Sequence, residues 1–313
     1  MNSEETADHD QPPEEEDAAA VTALDLTSYQ LHDLDSVEFP PSLIELDLTA
    51  NRLSKLDPRI SLLSHLTKLS LRQNLFDDAG VEPLSHWDAI SGLEELVFRD
   101  NKLMKIPDVS IFRMGCQRPP TLSKNYICPN EIPKIEEIGH FTGCKFELGS
   151  NRLRVMENLE ALVNLQELWL GRNRIKAVHL CGLKCIKKLS LQSNRLTSMK
   201  DLRRGLLCYP CLRVLFSVIN ECVALEELYL SHNGISKMDG LSTLVNLRVL
   251  DICGLMITRL QPWKAWLMQL PVQGRSLPLS ILNTNPCANS PNYTATLRQI
   301  FPNIQQIDSQ VFA

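Results

Sequence analysis

Cysteine is the residue type in this chain that could carry metal or redox chemistry, because ten cysteines are spread along its 313 residues. Cys208 and Cys211 form a C-x-x-C pair, and Cys181 and Cys185 form a C-x-x-x-C pair. A zinc site needs four such ligands to converge in space, and the spacing of these pairs does not bring four thiolates together. Scattered thiols are typical of a reduced protein, so we expect free cysteines, no bound metal and no cofactor.

Catalytic motifs are absent from the sequence. The chain has no phosphate-binding glycine-rich loop, no H-E-x-x-H and no G-x-S-x-G. Its seven histidines are scattered, and His232, which precedes a turn asparagine, is expected on the surface. We therefore predict a binding protein and not an enzyme. An enzyme that uses the cysteines is the alternative class, and it would require bound metal.

A repeating element must position whatever residues do the binding. The pattern L-x-x-L-x-L-x-x-N-x-L recurs along the chain, and Asn151, Asn173 and Asn194 follow one another at spacings of 22 and 21 residues. This motif and this period are typical of leucine-rich repeats. Copies of the pattern begin at Leu43, Leu66, Leu93, Leu165, Ile186 and Leu225, with a partial copy at Phe146.

The residue types within a repeat predict its structure. The x-L-x core is a short strand whose leucine points inward while its neighbours point outward. The asparagine turns the chain, and its amide can bond backbone groups of adjacent turns. Stacking of repeats buries the leucines. The fold class is therefore α/β, a leucine-rich-repeat solenoid with a curved parallel sheet on the concave face, short helices or 3₁₀ turns on the convex face, and a C-terminal cap.

Two parts differ in composition. Residues 1–20 are acidic and contain Pro12-Pro13, so we expect a disordered tail. Residues 21–313 are expected to form one leucine-rich-repeat domain, in which residues 283–313 make the cap. The period fails in three segments, at about residues 113–128, 201–221 and 256–279.

The irregular segments have two interpretations. They are binding loops inserted into the solenoid, or they are degraded repeats that pack poorly. We favour the second interpretation, because the flanking repeats are regular and the breaks are abrupt. A degraded repeat would remove interfaces between neighbouring turns.

The outward positions of the strands are the candidate binding residues. Large aromatic side chains on a rigid sheet are typical of the residues that dominate an interface, and carboxylates suit a basic patch on a partner. Solenoids commonly bind partners in their concavity. The candidate partner-binding residues are Glu147, Glu167, Trp169, Glu227, Tyr229 and Asp251.

Three regular stretches carry a family resemblance. Leu148–Leu159 is L-G-S-N-R-L-R-V-M-E-N-L, Leu191–Leu196 is L-Q-S-N-R-L, and Glu227–Ile235 is E-L-Y-L-S-H-N-G-I. They resemble the family of protein phosphatase 1 regulatory subunit 7, the SDS-type leucine-rich-repeat regulators. The resemblance covers roughly Leu43 to Asp251 and the cap from Asn285.

The resemblance implies a partner, the catalytic subunit of serine/threonine protein phosphatase 1, held on the concave face. By position it implies contacts at Glu147, Trp169 and Asp251, with Tyr229 in the same column. It also implies a protein of the nucleus and cytoplasm that modulates the phosphatase. The alternative is a general leucine-rich-repeat scaffold with a cytoskeletal or signalling partner.

Charge and hydropathy limit the other partners. The formal net charge is -5 and the isoelectric point is near 5.8, so we expect no nucleic-acid or membrane binding. No apolar run is long enough to span a bilayer, the N-terminus lacks the features of a secretion signal, and we expect a monomer before complex formation. Residues 213–216, R-V-L-F, match the short R-V-x-F docking sequence of phosphatase-1 partners, and we treat this match as coincidental.

Overall fold

Ten short strands form one parallel sheet in which every strand pairs with the next one along the chain. The structure is a computed structural model. It describes residues 21–87, 92–108, 124–128, 130–136, 138, 144–180, 183–197, 224–236, 244, 246–256, 278–279, 289, 291–300, 306–307 and 310–311. The strands are β1 (Ala23–Asp25), β2 (Glu45–Asp47), β3 (Lys68–Ser70), β4 (Glu95–Val97), β5 (Lys124–Tyr126), β6 (Lys145–Glu147), β7 (Glu167–Trp169), β8 (Lys188–Ser190), β9 (Glu227–Tyr229) and β10 (Val249–Asp251).

Each strand from β6 to β10 buries its central residue and directs the two flanking residues to the concave side. In β7, Leu168 is fully buried while Glu167 and Trp169 are half-buried. The period of two follows from the pleat of a strand. Parallel pairing sets Leu168 opposite Leu189 of β8, so the leucines of successive turns stack into one continuous core. The predicted solenoid with inward leucines is confirmed.

An asparagine follows each strand from β2 to β9 and ties its turn to the turn before it. The side-chain amide nitrogen of Asn173 donates to the carbonyl oxygens of Leu148 (2.9 Å) and Leu170 (3.0 Å), and its amide oxygen accepts from the backbone N–H of Leu153 (3.0 Å). The ladder satisfies backbone groups that would otherwise be buried without partners. The same arrangement occurs at Asn51, Asn74, Asn101, Asn151, Asn194 and Asn233.

The convex side carries short helices, as predicted. Two 3₁₀ helices span Pro58–Leu62 and Glu82–His86, and helix α1 spans Asp78–Val81. Asp77 caps α1, because its carboxylate accepts from the backbone N–H of Gly80 at 2.9 Å. Gly80 itself lies so close to the preceding turn that a Cβ atom there would be 1.9 Å from the carbonyl oxygen of Ser54.

The C-terminal part adds a helix and a small second sheet. Helix α2 spans Tyr293–Ile300. Strands β11 (Pro278–Leu279) and β12 (Gln306–Ile307) are parallel, and β13 (Gln310–Val311) is antiparallel to β12.

The structure differs from the sequence analysis within residues 113–128, where no repeat was recognised. Strand β5 lies there and pairs with β4 and β6. Its central position is Asn125, opposite Phe146, so the leucine that marks other repeats is missing. The 29 residues from Asn101 to Asn130 make a single turn, in which the amide oxygen of Asn130 accepts from the backbone N–H of Leu103 at 3.0 Å.

The sheet also continues past the second irregular segment. Strand β8 pairs directly with β9, and Asn233 accepts from the backbone N–H of Leu196 at 3.0 Å. The 39 residues between Asn194 and Asn233 therefore connect two adjacent strands. The expected tail at residues 1–20, the segment 201–221 and nearly all of 256–279 lie outside the described residues.

Candidate functional site

The concave face presents two columns of side chains that run across the strands. The first column lies at the last residue of each strand. Its members are successive partners in register: Glu147, Trp169, Ser190, Tyr229 and Asp251. The second column lies at the first residue of each strand and contains Lys145, Glu167, Lys188 and Glu227. The asparagine ladder and the stacked leucines fix the backbone under both columns.

An aromatic pair lies at the centre of the first column. The ring centroids of Trp169 and Tyr229 are 5.8 Å apart, and the ring planes differ by 27°. These residues belong to β7 and β9, and the strand between them contributes Ser190, which is only 2% exposed. Because serine is small, the two rings meet above it. The result is an offset-stacked aromatic platform on a rigid sheet.

Carboxylates of the second column hold the polar edges of both rings. The indole N–H of Trp169 donates to Glu167 at 3.2 Å, and the phenol O–H of Tyr229 donates to Glu227 at 2.8 Å. Burial, together with the hydrogen bond to Glu227 and its charge, raises the pKa of Tyr229 to about 12. The phenol therefore stays protonated at physiological pH and remains a donor. Each ring is held in one orientation before a partner arrives.

Two lysines link these carboxylates into a row of alternating charge. The ammonium of Lys188 lies 3.6 Å from Glu167 and 3.3 Å from Glu227. The hydrogen bond that the Lys188 ammonium donates to Glu227 is the largest of the effects that raise the pKa of Lys188. The ammonium of Lys145 lies 3.8 Å from Glu167 and 5.6 Å from the ring centroid of Trp169, within range of a cation–π contact. Exposed pairs of this kind add little stability, so their main effect is to orient the carboxylates.

Glu147 lies at one end of the first column, opposite Trp169. One of its carboxylate oxygens is buried and has no hydrogen-bond partner among the described residues. It adjoins Cys128, and burial together with the Glu147 charge raises the pKa of that thiol to about 12. A buried acceptor without a donor is unfavourable, and the thiol of Cys128 is the described group beside this carboxylate.

Asp251 lies at the other end of the first column, opposite Tyr229. Its carboxylate accepts from the backbone N–H of Cys253 at 3.1 Å, which fixes its position. Of the six predicted binding residues, the structure joins four in direct side-chain contacts, and Glu147 and Asp251 flank that group in register. The four joined residues are Glu167, Trp169, Glu227 and Tyr229.

Three contributors to this site were not predicted from the sequence. Lys145 and Lys188 orient the carboxylates, and Ser190 makes room for the rings. The signal was present in the sequence: lysine and glutamate alternate in one column, and the smallest side chain of the other column stands between the two aromatic ones.

Metal-binding clusters and membrane-spanning helices are both absent from the described residues. No group of three or more histidine, cysteine or acidic side chains there could hold a metal ion, and no helix there is long and apolar enough to cross a membrane. Cys185 is a free, exposed thiol. Cys181, Cys208, Cys211 and the R-V-L-F segment lie outside the described residues.

The class of protein is that of the leucine-rich-repeat proteins. It is defined by the solenoid, the asparagine ladder and the concave columns together. The family model described as two copies of leucine-rich repeats matches residues 223–265. A leucine-rich-repeat protein of Leptospira interrogans is similar in structure, with 23% identity, a TM-score of 0.57, and coverage of 86% of this chain and 72% of that one. The functional domain of InlJ from Listeria monocytogenes is similar over 86% of this chain and 54% of that one, with 20% identity and a TM-score of 0.55. At these identities the likeness concerns the fold.

The particular family follows from a relative that matches the chain over its whole length. The chain is 54% identical to the Arabidopsis thaliana "Protein phosphatase 1 regulatory inhibitor subunit PPP1R7 homolog", over the full length of both chains. It therefore belongs to the protein phosphatase 1 regulatory subunit 7 family. A weaker likeness, 26% identity over 70% of this chain, is to the mouse leucine-rich repeat serine/threonine-protein kinase 1, of which it covers 10%.

Proposed function

We propose that this protein is a non-catalytic regulatory subunit that binds the catalytic subunit of protein phosphatase 1 and changes its activity. Family membership supports the choice of partner. The observation that carries the location is the aromatic platform of Trp169 and Tyr229, fixed above Ser190 in the middle of the concave face. The nucleus and cytoplasm are the compartments that we propose for this activity.

The platform has the features of an interface anchor. Its rings offer a large, preordered apolar area, and residues of this kind dominate the energy of most interfaces. The surrounding carboxylates favour a partner that presents lysine or arginine side chains around an apolar contact.

The direct test measures binding of the purified phosphatase catalytic subunit to the full chain and to three variants by isothermal titration calorimetry. Trp169→Ala and Tyr229→Ala each remove one ring of the platform. Truncation of an anchor of this kind costs about 2 kcal/mol, which corresponds to roughly thirtyfold weaker binding. Tyr29→Ala is the matched control, because Tyr29 is an exposed aromatic residue outside the concave face.

Each outcome has a defined meaning. Weaker binding of both platform variants, with an unchanged Tyr29→Ala control and unchanged circular dichroism, supports docking on the concave face. Binding of Trp169→Ala within twofold of the unmodified chain contradicts this location. Failure of the folded, unmodified chain to bind the phosphatase contradicts the function, and the general-scaffold interpretation would then replace it. Hydrolysis of a phosphopeptide in the same mixtures measures the change in activity.

A further inference from the structure

One rim of the solenoid carries a cluster of positive charge that the concave site does not use. It lies in the three turns that follow β6, β7 and β8. Backbone hydrogen bonds set these turns in register, because Arg174 N donates to Leu153 O at 2.8 Å and Arg195 N donates to Ile175 O at 2.9 Å. We name this cluster the basic rim, and it consists of Arg152, Arg154, Arg172, Arg174, Lys176 and Arg195.

Most of the positive charges on the basic rim have no acidic partner among the described residues. Arg152 pairs with Glu131 at 3.1 Å. The other five members make no ion pair with the residues that the structure describes, and all but the half-buried Arg174 are exposed. Adjacent turns are about one strand spacing apart, roughly 4.8 Å, so like charges repel one another here. A rim of this kind favours a bound polyanion.

The chain contains a polyanion of its own. Residues 1–20 include eight carboxylates and neither lysine nor arginine, so residues 21–313 carry a formal charge of +3 although the whole chain carries -5. All of the negative excess therefore lies in a segment attached to a positively charged domain. Attachment raises the local concentration of this segment at the domain to the millimolar range.

Chain length decides which acidic residues can reach the rim. The tail joins the domain at Val21, just before β1, whereas the basic rim lies five to seven strands further along. That distance is about 24 to 34 Å along the sheet, with about 10 Å more to cross the strands. Eleven extended residues from Asp10 span about 37 Å, and seventeen from Glu4 span about 58 Å. Glu14 and the acidic residues after it are too close to Val21 to arrive.

We propose that residues 4–10 of this chain dock on its own basic rim. The occupant is an extended acidic segment with Glu4, Glu5, Asp8 and Asp10, and exposed guanidinium groups bind its carboxylates. Docking is electrostatic, so it weakens as salt screens the charges. The tail then follows the rim and leaves Trp169 and Tyr229 open on the concave face.

The test follows cleavage of the full chain by a glutamate-specific protease, with the products identified by mass spectrometry. Cleavage after Glu5 reports on the docked part, and cleavage after Glu14 is an internal reference. The variant Arg174→Gln/Arg195→Gln removes two charges of the rim. The control Lys184→Gln/Lys187→Gln removes two exposed charges from the segment just before β8, where they lie outside the basic rim.

In about 50 mM salt we expect the rim variant to be cut after Glu5 at least about threefold faster than the unmodified chain, with the reference site and the lysine control unchanged. In about 500 mM salt the difference should disappear. Equal rates after Glu5 at low salt overturn the proposal, as does equal acceleration at both sites. A fluorescent oligonucleotide is the second probe of the unmodified chain. If it binds the rim and the unmodified chain is cut after Glu5 as fast as the rim variant, the occupant is a foreign polyanion and self-docking is wrong.

Discussion

Removal of one rung of the asparagine ladder should destabilise the repeats that carry the concave site. Asn173 is 7% exposed and lies in the turn after β7. Its amide donates to Leu148 O and Leu170 O and accepts from Leu153 N, at distances of 2.9 to 3.0 Å. Asn173→Ala removes these three hydrogen bonds, and a longer one to Gly171 O at 3.4 Å, without changing the concave surface.

The contacts that remain set the size of the effect. Leu148 O still accepts from Asn151, and Leu170 O still accepts from Asn194, so each carbonyl loses one of two bonds, at about 0.5 to 1 kcal/mol each. The buried N–H of Leu153 loses its acceptor, which costs about 1 to 3 kcal/mol. The free energy of unfolding should therefore fall by about 3 kcal/mol. Aspartate at the same position keeps the acceptor but sets a carboxylate against the carbonyls, so it should be at least as destabilising.

Urea unfolding followed by circular dichroism measures this change. The matched control is Asn158→Gly. Asn158 is exposed, makes one bond to Ile135 O at 2.6 Å, and has a left-handed backbone with φ of 58° that suits glycine. We expect the control to change stability by less than about 1 kcal/mol. The ladder is refuted as a source of stability if Asn173→Ala lowers the free energy of unfolding by less than about 1 kcal/mol and the slope of that free energy against urea concentration is unchanged.

Two further changes test packing. Burial raises the pKa of Cys128 to about 12, so about one thiol in ten thousand is ionised at pH 8. Iodoacetamide should then modify the exposed Cys185 of the native protein and spare Cys128, with mass spectrometry as the readout; comparable rates at pH 8 would contradict the burial. Gly80→Ala should lower stability by about 2 kcal/mol, because the new Cβ would lie 1.9 Å from Ser54 O. In Gly92→Ala the nearest atom is 3.9 Å away, so equal melting temperatures for the two variants would show that the close approach has no effect.

The stacked core and its asparagines were predictable because they repeat. One leucine in a fixed place is uninformative, whereas seven copies of a motif in register determine both the strand and the buried face. The same regularity hid β5, since Asn125 occupies the position where a leucine marks the other strands. Its pairing with β4 and β6 depends on neighbours that are distant in sequence.

The concave residues were predictable by position but their contacts were not. Alternation along β7 and β9 puts Trp169 and Tyr229 on the outer side of the sheet. Their stacking depends on the size of Ser190, which lies 21 residues after one ring and 39 before the other. Which carboxylate binds which ring depends on side-chain rotamers that a one-letter pattern does not contain. The unpartnered oxygen of Glu147 likewise depends on burial by neighbours, which only the folded structure shows.

The unequal lengths of the turns make this solenoid tolerant of insertion. Successive ladder asparagines are 21 residues apart at the shortest and 39 apart at the longest, yet β8 and β9 pair without a gap in the sheet. For a flexible loop, lengthening a turn from 21 to 39 residues costs only about 0.5 kcal/mol of closure entropy. A gene can therefore gain coding sequence between a turn asparagine and the following strand while the sheet keeps its register. The same connection is a suitable place to engineer a tag or a second binding module.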